Sequence, residues 1–240
     1  MLSRAYRKLW KLRRLRAWQL SNVTFVFIIA CSRSGSTLLQ KIVGSNAGCH
    51  ILGENNDVLG ALLTAYDRAL MAKATQGSEP RNDVGDPWYG IDSIDPQRFG
   101  RKLVELFIDE FLRPTAGVRM LGFKEIRYMD DIEGLDRILD RMRTLFGPSI
   151  FILNKRNSHD AAKSLSSKWD ERPLDQIEAQ VQSFNQRIER YADAHPNDSI
   201  LVDYDKYLRD PDELRPLFER LALAFDREKI DQILGVRLQH

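Results

Sequence analysis

Residues 25–39, FVFIIACSRSGSTLL, decide the fold of this 240-residue chain. Residues 24–30 form an apolar, β-branched run, which is typical of a strand buried on both faces. The residues that follow are small apart from Arg33, and an apolar helical pattern begins at Thr37. The stretch therefore predicts a strand, a tight loop and a helix in succession.

The loop has the composition of an anion-binding site. The first backbone N–H groups of a helix lack partners within the helix and attract negative charge. Gly35 lets the backbone approach an anion closely, Ser36 and Thr37 add hydroxyl donors, and Arg33 adds positive charge. Together with Ser34, these residues predict a cradle for a phosphate or sulfate group.

Two familiar phosphate-binding loops do not fit this pattern. A Walker A loop needs a leading glycine and a Gly-Lys pair, and both are missing here. A phosphatase loop with Cys31 as the nucleophile would need arginine at position 37, where the chain has Thr37. A serine-rich turn without any ligand stays an alternative while the loop is considered alone.

A second segment has a related pattern. Residues 149–154 form another apolar strand, and Arg156 follows at its carboxyl end, where ligands bind in open α/β sheets. Ser164 lies eight residues later, about two turns into a predicted helix. An arginine fork and a serine hydroxyl suit a second phosphate group.

Together the two segments resemble the sulfotransferase family, which uses 3′-phosphoadenosine 5′-phosphosulfate (PAPS) as its sulfuryl donor. Residues 31–39 resemble the 5′-phosphosulfate-binding segment of bacterial and carbohydrate-modifying members, and residues 156–164 resemble the 3′-phosphate-binding segment. Ser158 departs from the proline that many members carry there. The resemblance implies that residues 33–37, Arg156 and Ser164 bind PAPS, and that a carbohydrate or glycolipid hydroxyl accepts the sulfuryl group.

Sulfuryl transfer needs a base for the acceptor proton and cations for the charge on the transferring group. Glu54 follows a predicted strand at 49–52, where carbohydrate-type members place a catalytic carboxylate. Lys124 ends another predicted strand and resembles the family's strand-end lysine. Glu125 stays a competing base. The structural alternative for Glu54 is a carboxylate at the start of a helix, and the one for Lys124 and Glu125 is an ion pair among neighbouring charges. Arginine, lysine and the helix N-terminus supply positive charge, so no metal is expected.

The remaining sequence alternates predicted strands and helices. Helices are predicted at 37–46, from Asn55 or Asn56 to about 75, and at 95–112, 134–146 and 174–194, with a Gly- and Pro-containing loop at 76–92. Further strands are predicted at 120–124 and 199–202. This order predicts a single three-layer, P-loop-like α/β domain over residues 21–240, whose central sheet is mostly parallel and flanked by helices.

Composition narrows the possible partners. The apolar content of 43% and charged content of 29% are ordinary for a soluble protein. A net charge of +2 argues against a general nucleic-acid-binding surface. The two cysteines do not suggest a disulfide framework, so a reducing, cytoplasmic compartment is expected.

Residues 1–20 interleave basic with apolar side chains and form a separate segment. As a helix this segment could contact an anionic membrane, such as the inner membrane face, or pack against the domain. No run of 18 apolar residues occurs, so no transmembrane helix is expected.

Some assignments stay open at this stage. Trp169 is interpreted either as an adenine-stacking residue or as a core residue, and the pair Trp88 and Tyr89 as an acceptor platform or a loop anchor. A P-loop kinase or nucleotide hydrolase is the main alternative function. A non-catalytic module that binds a membrane or partner through residues 1–20 is the other.

Overall fold

A five-stranded parallel sheet forms the centre of the molecule. The computed structural model describes residues 22–167 and 170–235. The strands are β1 (Thr24–Ala30), β2 (Cys49–Leu52), β3 (Met120–Glu125), β4 (Ser149–Lys155) and β5 (Ser199–Asp203). Their spatial order is β2–β3–β1–β4–β5, and every neighbouring pair is parallel. The predicted parallel α/β sheet is confirmed.

Helices connect these strands. Those of the described residues are α1 (Ser36–Gly44), α2 (Val58–Gln76), α3 (Pro96–Phe107), α4 (Leu135–Phe146), α5 (Ser158–Ser166), α6 (Leu174–Ala194), α7 (Tyr204–Arg209), α8 (Arg215–Arg220) and α9 (Arg227–Gly235). Three 3₁₀ turns, Ile91–Ser93, Arg127–Asp130 and Pro211–Leu214, and a π-helical turn, Ile108–Leu112, complete the described elements.

The two faces of β1 pack against different helix layers. Phe25, Phe27 and Ile29 point into a core shared with α2 to α6. Val26 and Ile28 point into a second core shared with α1 and α7 to α9. Since all five side chains are nearly inaccessible to solvent, β1 is buried on both faces, as its uninterrupted apolar run predicts. The three-layer arrangement follows directly from this alternation.

The strand order places a topological switch at the end of β1. The chain runs from β1 outward to β2 and returns to β3 on one side, then crosses to β4 and β5 on the other. Ligands of open α/β sheets bind at the carboxyl ends of strands where the chain direction diverges in this way. The loop after β1 occupies that place.

The start of α2 differs from its prediction. Neither Asn55 nor Asn56 is the N-cap, because the helix begins at Val58 after Asp57, whose side chain makes no capping hydrogen bond. Asn56 and Asp57 have φ angles of 55° and 59°, so the chain turns twice through the left-handed region before the helix begins. Asn55 still contributes, since its Oδ1 accepts a hydrogen bond from the Leu59 N–H at 3.2 Å.

The predictions for residues 1–20 and for Trp169 lie outside the described residues. In the described part of the chain, no helix is both long enough and apolar enough to cross a bilayer.

Candidate active site

Four strand ends bring the predicted site residues to one edge of the sheet. Ala30 at the end of β1 is level with Asn154 of β4, and Ile29 is level with Glu125 of β3. β2 ends at Leu52, which is level with Phe123. The loops that carry Arg33, Arg156 and Glu54 therefore leave the sheet side by side.

The segment 31–37, called the anion loop below, is held in shape by Ser34 and Asn154. The Ser34 hydroxyl is fully buried and donates to the Cys31 carbonyl at 2.7 Å. The Asn154 side-chain amide donates to the Ser34 carbonyl at 2.8 Å and to its hydroxyl at 3.2 Å. Because its hydroxyl is occupied within the loop, Ser34 can offer an anion only its backbone N–H.

Helix α1 begins directly in the anion loop. The N–H groups of Leu38 and Leu39 both donate to the Gly35 carbonyl, which closes the first helical turn. Within the described residues, the N–H groups of Gly35, Ser36 and Thr37 have no protein acceptor. These N–H groups lie at the positive end of a nine-residue helix, where an anion is stabilised.

Two side chains join the two predicted anion-binding segments. The Arg33 Nε–H donates to the Ser164 hydroxyl at 3.0 Å, and Arg156 donates through Nη1 to the Arg33 carbonyl at 2.6 Å. Arg33 has a φ of 63°, in the left-handed region. The buried Nε of Arg156 has no acceptor among the described residues, so this cation keeps a donor available.

Tyr204 and Tyr207 also belong to this edge, although no sequence motif predicts a role for them. The guanidinium carbon of Arg156 lies 4.8 Å from the centre of the Tyr204 ring, and the Tyr207 hydroxyl donates to the Gly35 carbonyl at 3.4 Å. Their signal in the sequence was their place immediately after β5 at the ligand-binding edge. Asn154 had a similar signal, since it is a polar residue inside an apolar strand.

Gly35 is fixed by both its backbone and its neighbour. Its φ is 74°, and a Cβ there would lie 2.1 Å from Cδ2 of Tyr204.

We expect Gly35→Ala to lower the free energy of unfolding by about 2–4 kcal/mol, since the strain of the left-handed backbone and the displacement of the Tyr204 ring both destabilise the fold. Gly90→Ala is the control, because Gly90 has a φ of 80° and open space around it. Urea denaturation measures the free energy of unfolding of both variants. Equal losses in the two variants would contradict a role for Tyr204.

Lys124 and Glu54 form an ion pair at the end of β3. The Lys124 Nζ donates to Oε1 of Glu54. The Lys124 side chain is 5% exposed whereas that of Glu54 is 35% exposed. A buried cation therefore lies behind a carboxylate that solvent, and so an acceptor, can reach.

Lys124 and Glu125 point to opposite faces of β3. Lys124 is level with Ile28 on the α1 face, and Glu125 is level with Ile29 on the α2 face. Glu125 is inaccessible to solvent, and both of its oxygens accept backbone N–H groups. The geometry therefore favours Glu54 over Glu125 as the carboxylate that can meet an acceptor.

Other candidate residues lie in different surroundings. Burial raises the pKa of the Cys31 thiol to about 12, so the neutral thiol persists at physiological pH. On the surface, Nδ1 of His159 lies 2.9 Å from Oε2 of Glu178 in α6.

The loop with Trp88 and Tyr89 is held at the C-terminal end of α2, where Lys73 contacts the Asp92 carbonyl. Because α2 has 19 residues it is about 28 Å long, and Glu54 precedes its other end. The aromatic pair is thus not brought to the site.

Comparisons with known proteins identify a family and a shared fold. A sequence profile described as the sulfotransferase family matches residues 26–227. The sulfotransferase domain of the Synechococcus PCC 7002 olefin synthase has a TM-score of 0.56 and 19% identity, covering 91% of this chain and 78% of that domain's chain. A sulfotransferase domain from the curacin biosynthetic pathway has a TM-score of 0.55 and 17% identity, and the match covers 91% of this chain and 78% of that domain's chain. At these identities the structural likeness shows the shared fold. No curated protein matches the chain in sequence.

Proposed function

The chain belongs to the sulfotransferase family, and from this premise we propose that it transfers a sulfuryl group from PAPS to a hydroxyl of a carbohydrate or glycolipid. The observation that carries the proposal is the direct link between the two anion-binding segments. Arg33 of the anion loop contacts Ser164 of α5, and Arg156 contacts the Arg33 carbonyl. A ligand with phosphate groups at both ends of a nucleoside matches two such segments better than a single anion does.

The residues present fit this donor. The unpaired N–H groups at the start of α1 can donate hydrogen bonds to a phosphosulfate, and Arg33 adds a cation beside them. The free Nε of Arg156 and the Ser164 hydroxyl remain for a second phosphate. Arginine suits that task because its planar fork donates to two phosphate oxygens at once.

Glu54 and Lys124 supply the chemistry in this proposal. The acceptor oxygen forms a bond to sulfur while the bond between sulfur and the bridging phosphate oxygen breaks. The acceptor proton passes to the Glu54 carboxylate, which is exposed enough to meet it. The Lys124 ammonium offsets the negative charge on the transferring group, as cations do in phosphoryl transfer.

An alcohol hydroxyl, such as that of a sugar, is the acceptor class that this arrangement suits. An alcohol of ordinary acidity needs a base to lose its proton, and the site offers a carboxylate for that purpose. The carboxylate lies on an open edge of the sheet, where a polar, hydrated acceptor can approach. A simple alkyl alcohol serves as the comparison acceptor in transfer assays.

Donor binding is the first test of the proposal. We expect adenosine 3′,5′-bisphosphate to bind the full chain with micromolar affinity in isothermal titration calorimetry, and 5′-AMP to bind at least about tenfold more weakly because one phosphate contact is lost. Arg156→Ala should weaken bisphosphate binding by about 100-fold, the loss of a charge-assisted fork. Arg190→Ala on the surface of α6 should leave it unchanged.

Two results would overturn the donor assignment. One is equal affinity for the bisphosphate and 5′-AMP. The other is magnesium-dependent binding of ATP without binding of the bisphosphate, which would favour a P-loop kinase or nucleotide hydrolase.

A further inference from the structure

The carboxylate of Glu125 is enclosed by four backbone N–H groups. Oε2 accepts from Asn55 at 3.0 Å and from Asp57 at 3.3 Å. Oε1 accepts from Ile126 at 2.9 Å and from Arg127 at 3.2 Å. One buried side chain therefore ties the turn after β2 to the end of β3. Charge-assisted bonds of this kind are stronger than bonds between neutral groups.

The turn that Glu125 holds is the one that carries Glu54. The segment 53–57, called the Glu54 turn below, contains Asn56 and Asp57 in the left-handed region. Residues with a side chain disfavour that region, so consecutive left-handed residues persist only where the surroundings fix them. The N–H groups of Asn55 and Asp57, on either side of Asn56, both point to the same Glu125 oxygen.

Among the residues that the structure describes, no cation forms an ion pair with Glu125. Tyr128 and Asp57 lie close by, and burial together with the Glu125 charge raises the pKa of both. The Tyr128 hydroxyl and Oδ1 of Asp57 are buried without partners among the described residues. Lys124, the neighbouring cation, faces the other side of the sheet and contacts Glu54. Backbone N–H dipoles are thus the groups that compensate the Glu125 carboxylate.

From these contacts we propose that Glu125 is a positioning residue that fixes the Glu54 turn, so that Glu54 stays against Lys124 and open to the acceptor. Glu125 acts from one face of β3, and Lys124 holds Glu54 from the other. Glu125 itself takes no proton from the acceptor, because its oxygens are enclosed by the N–H groups that they accept. The inference rests on the proposed role of Glu54 as the base.

Two substitutions separate charge from geometry. Glu125→Gln removes the charge and places an NH₂ group against N–H donors. Glu125→Asp keeps the charge, still reaches Ile126 and Arg127 beside it, and is one methylene too short for Asn55 and Asp57. Asp130→Asn is the matched control, since Asp130 is an exposed carboxylate nearby whose contact is a 3.9 Å ion pair with Arg127.

Amide hydrogen exchange tests the clamp without any substrate. In the wild-type chain the amides of Asn55 and Asp57 should be protected from exchange. In both Glu125 variants these two amides should exchange at least about tenfold faster, and in Asp130→Asn they should keep the wild-type rate. Unprotected amides in the wild type, or unchanged rates in a folded Glu125 variant, would overturn the inference.

Turnover provides a readout that a general structural role would not give. With PAPS and octyl β-D-glucoside as the probe acceptor, Glu125→Gln should lower kcat by about 10- to 100-fold and leave the KM for PAPS unchanged. In a Glu54→Gln background the same change should cost less than about threefold, because it acts through Glu54. An equal loss in both backgrounds would overturn the positioning role.

The two proposals fail in different ways. If Glu54→Gln keeps full turnover, the base assignment fails, and the exchange rates of Asn55 and Asp57 still decide whether Glu125 holds the turn. If the bisphosphate does not bind the wild-type chain, the donor assignment fails, again without affecting the exchange result.

Discussion

Glu54→Gln should lower kcat by about 100-fold or more while the affinity for adenosine 3′,5′-bisphosphate stays unchanged. The substitution keeps the size of the side chain and a contact with Lys124, but removes the carboxylate that receives the acceptor proton. Because Glu54 lies outside the anion loop, donor binding has no reason to change. Transfer of labelled sulfuryl from PAPS to octyl β-D-glucoside measures kcat, and calorimetric titration with the bisphosphate measures the affinity.

Glu79→Gln is the control for this experiment. Glu79 is an exposed glutamate in the loop after α2, at the end of that helix remote from Glu54, so its substitution should affect neither quantity. Near-wild-type turnover of Glu54→Gln with intact donor binding would exclude Glu54 as the base. A parallel loss of donor affinity would instead indicate that the substitution disturbs the anion loop.

Lys124→Met is the second change for which we expect a large effect. Methionine fills the same elongated space in the sheet, but the buried cation next to Glu54 is lost. Removing a preorganised charge from a reacting group costs about 100- to 1,000-fold in kcat. The Glu54 side chain is exposed enough to be hydrated, so we expect the variant to remain folded.

The same transfer assay with a thermal melt measures this variant. Lys41→Met is the matched control, because Lys41 is an exposed lysine near the end of α1. A loss of turnover in Lys124→Met that follows a loss of folded protein would contradict an electrostatic role. So would turnover within a few-fold of the wild type. The double variant with Glu54→Gln should lose less than the product of the two single losses, since the side chains act as a pair.

Much of the fold could be predicted from local patterns. The strand β1, the helix α6 and the α/β order follow from hydrophobic periodicity and turn residues, which are local properties. The meeting of Arg33, Glu54, Lys124 and Arg156 at one edge also follows, because parallel strands place their carboxyl ends on the same side. For these elements, sequence spacing and topology were sufficient.

Contacts between distant residues could not be predicted in this way. The sequence marks Ser34 as an anion ligand, yet its hydroxyl is directed into the loop by Asn154, 120 residues away. Glu125 is a candidate base in the sequence, and only the folded structure shows that its oxygens accept hydrogen bonds from backbone N–H groups. The start of α2 was misplaced because the chain first passes through a left-handed turn, in which the Asp57 N–H donates to that same distant carboxylate.

The opposite directions of Lys124 and Glu125 limit which length changes the chain can tolerate. A residue inserted in the exposed stretch before β3 leaves the strand's alternation intact. A residue inserted within β3 ahead of Lys124 would exchange the two faces, placing the ammonium in the apolar layer of α2 and the carboxylate beside the anion loop. Such an insertion would cost both stability and transfer at once. Length variation among natural homologues should therefore fall outside this strand.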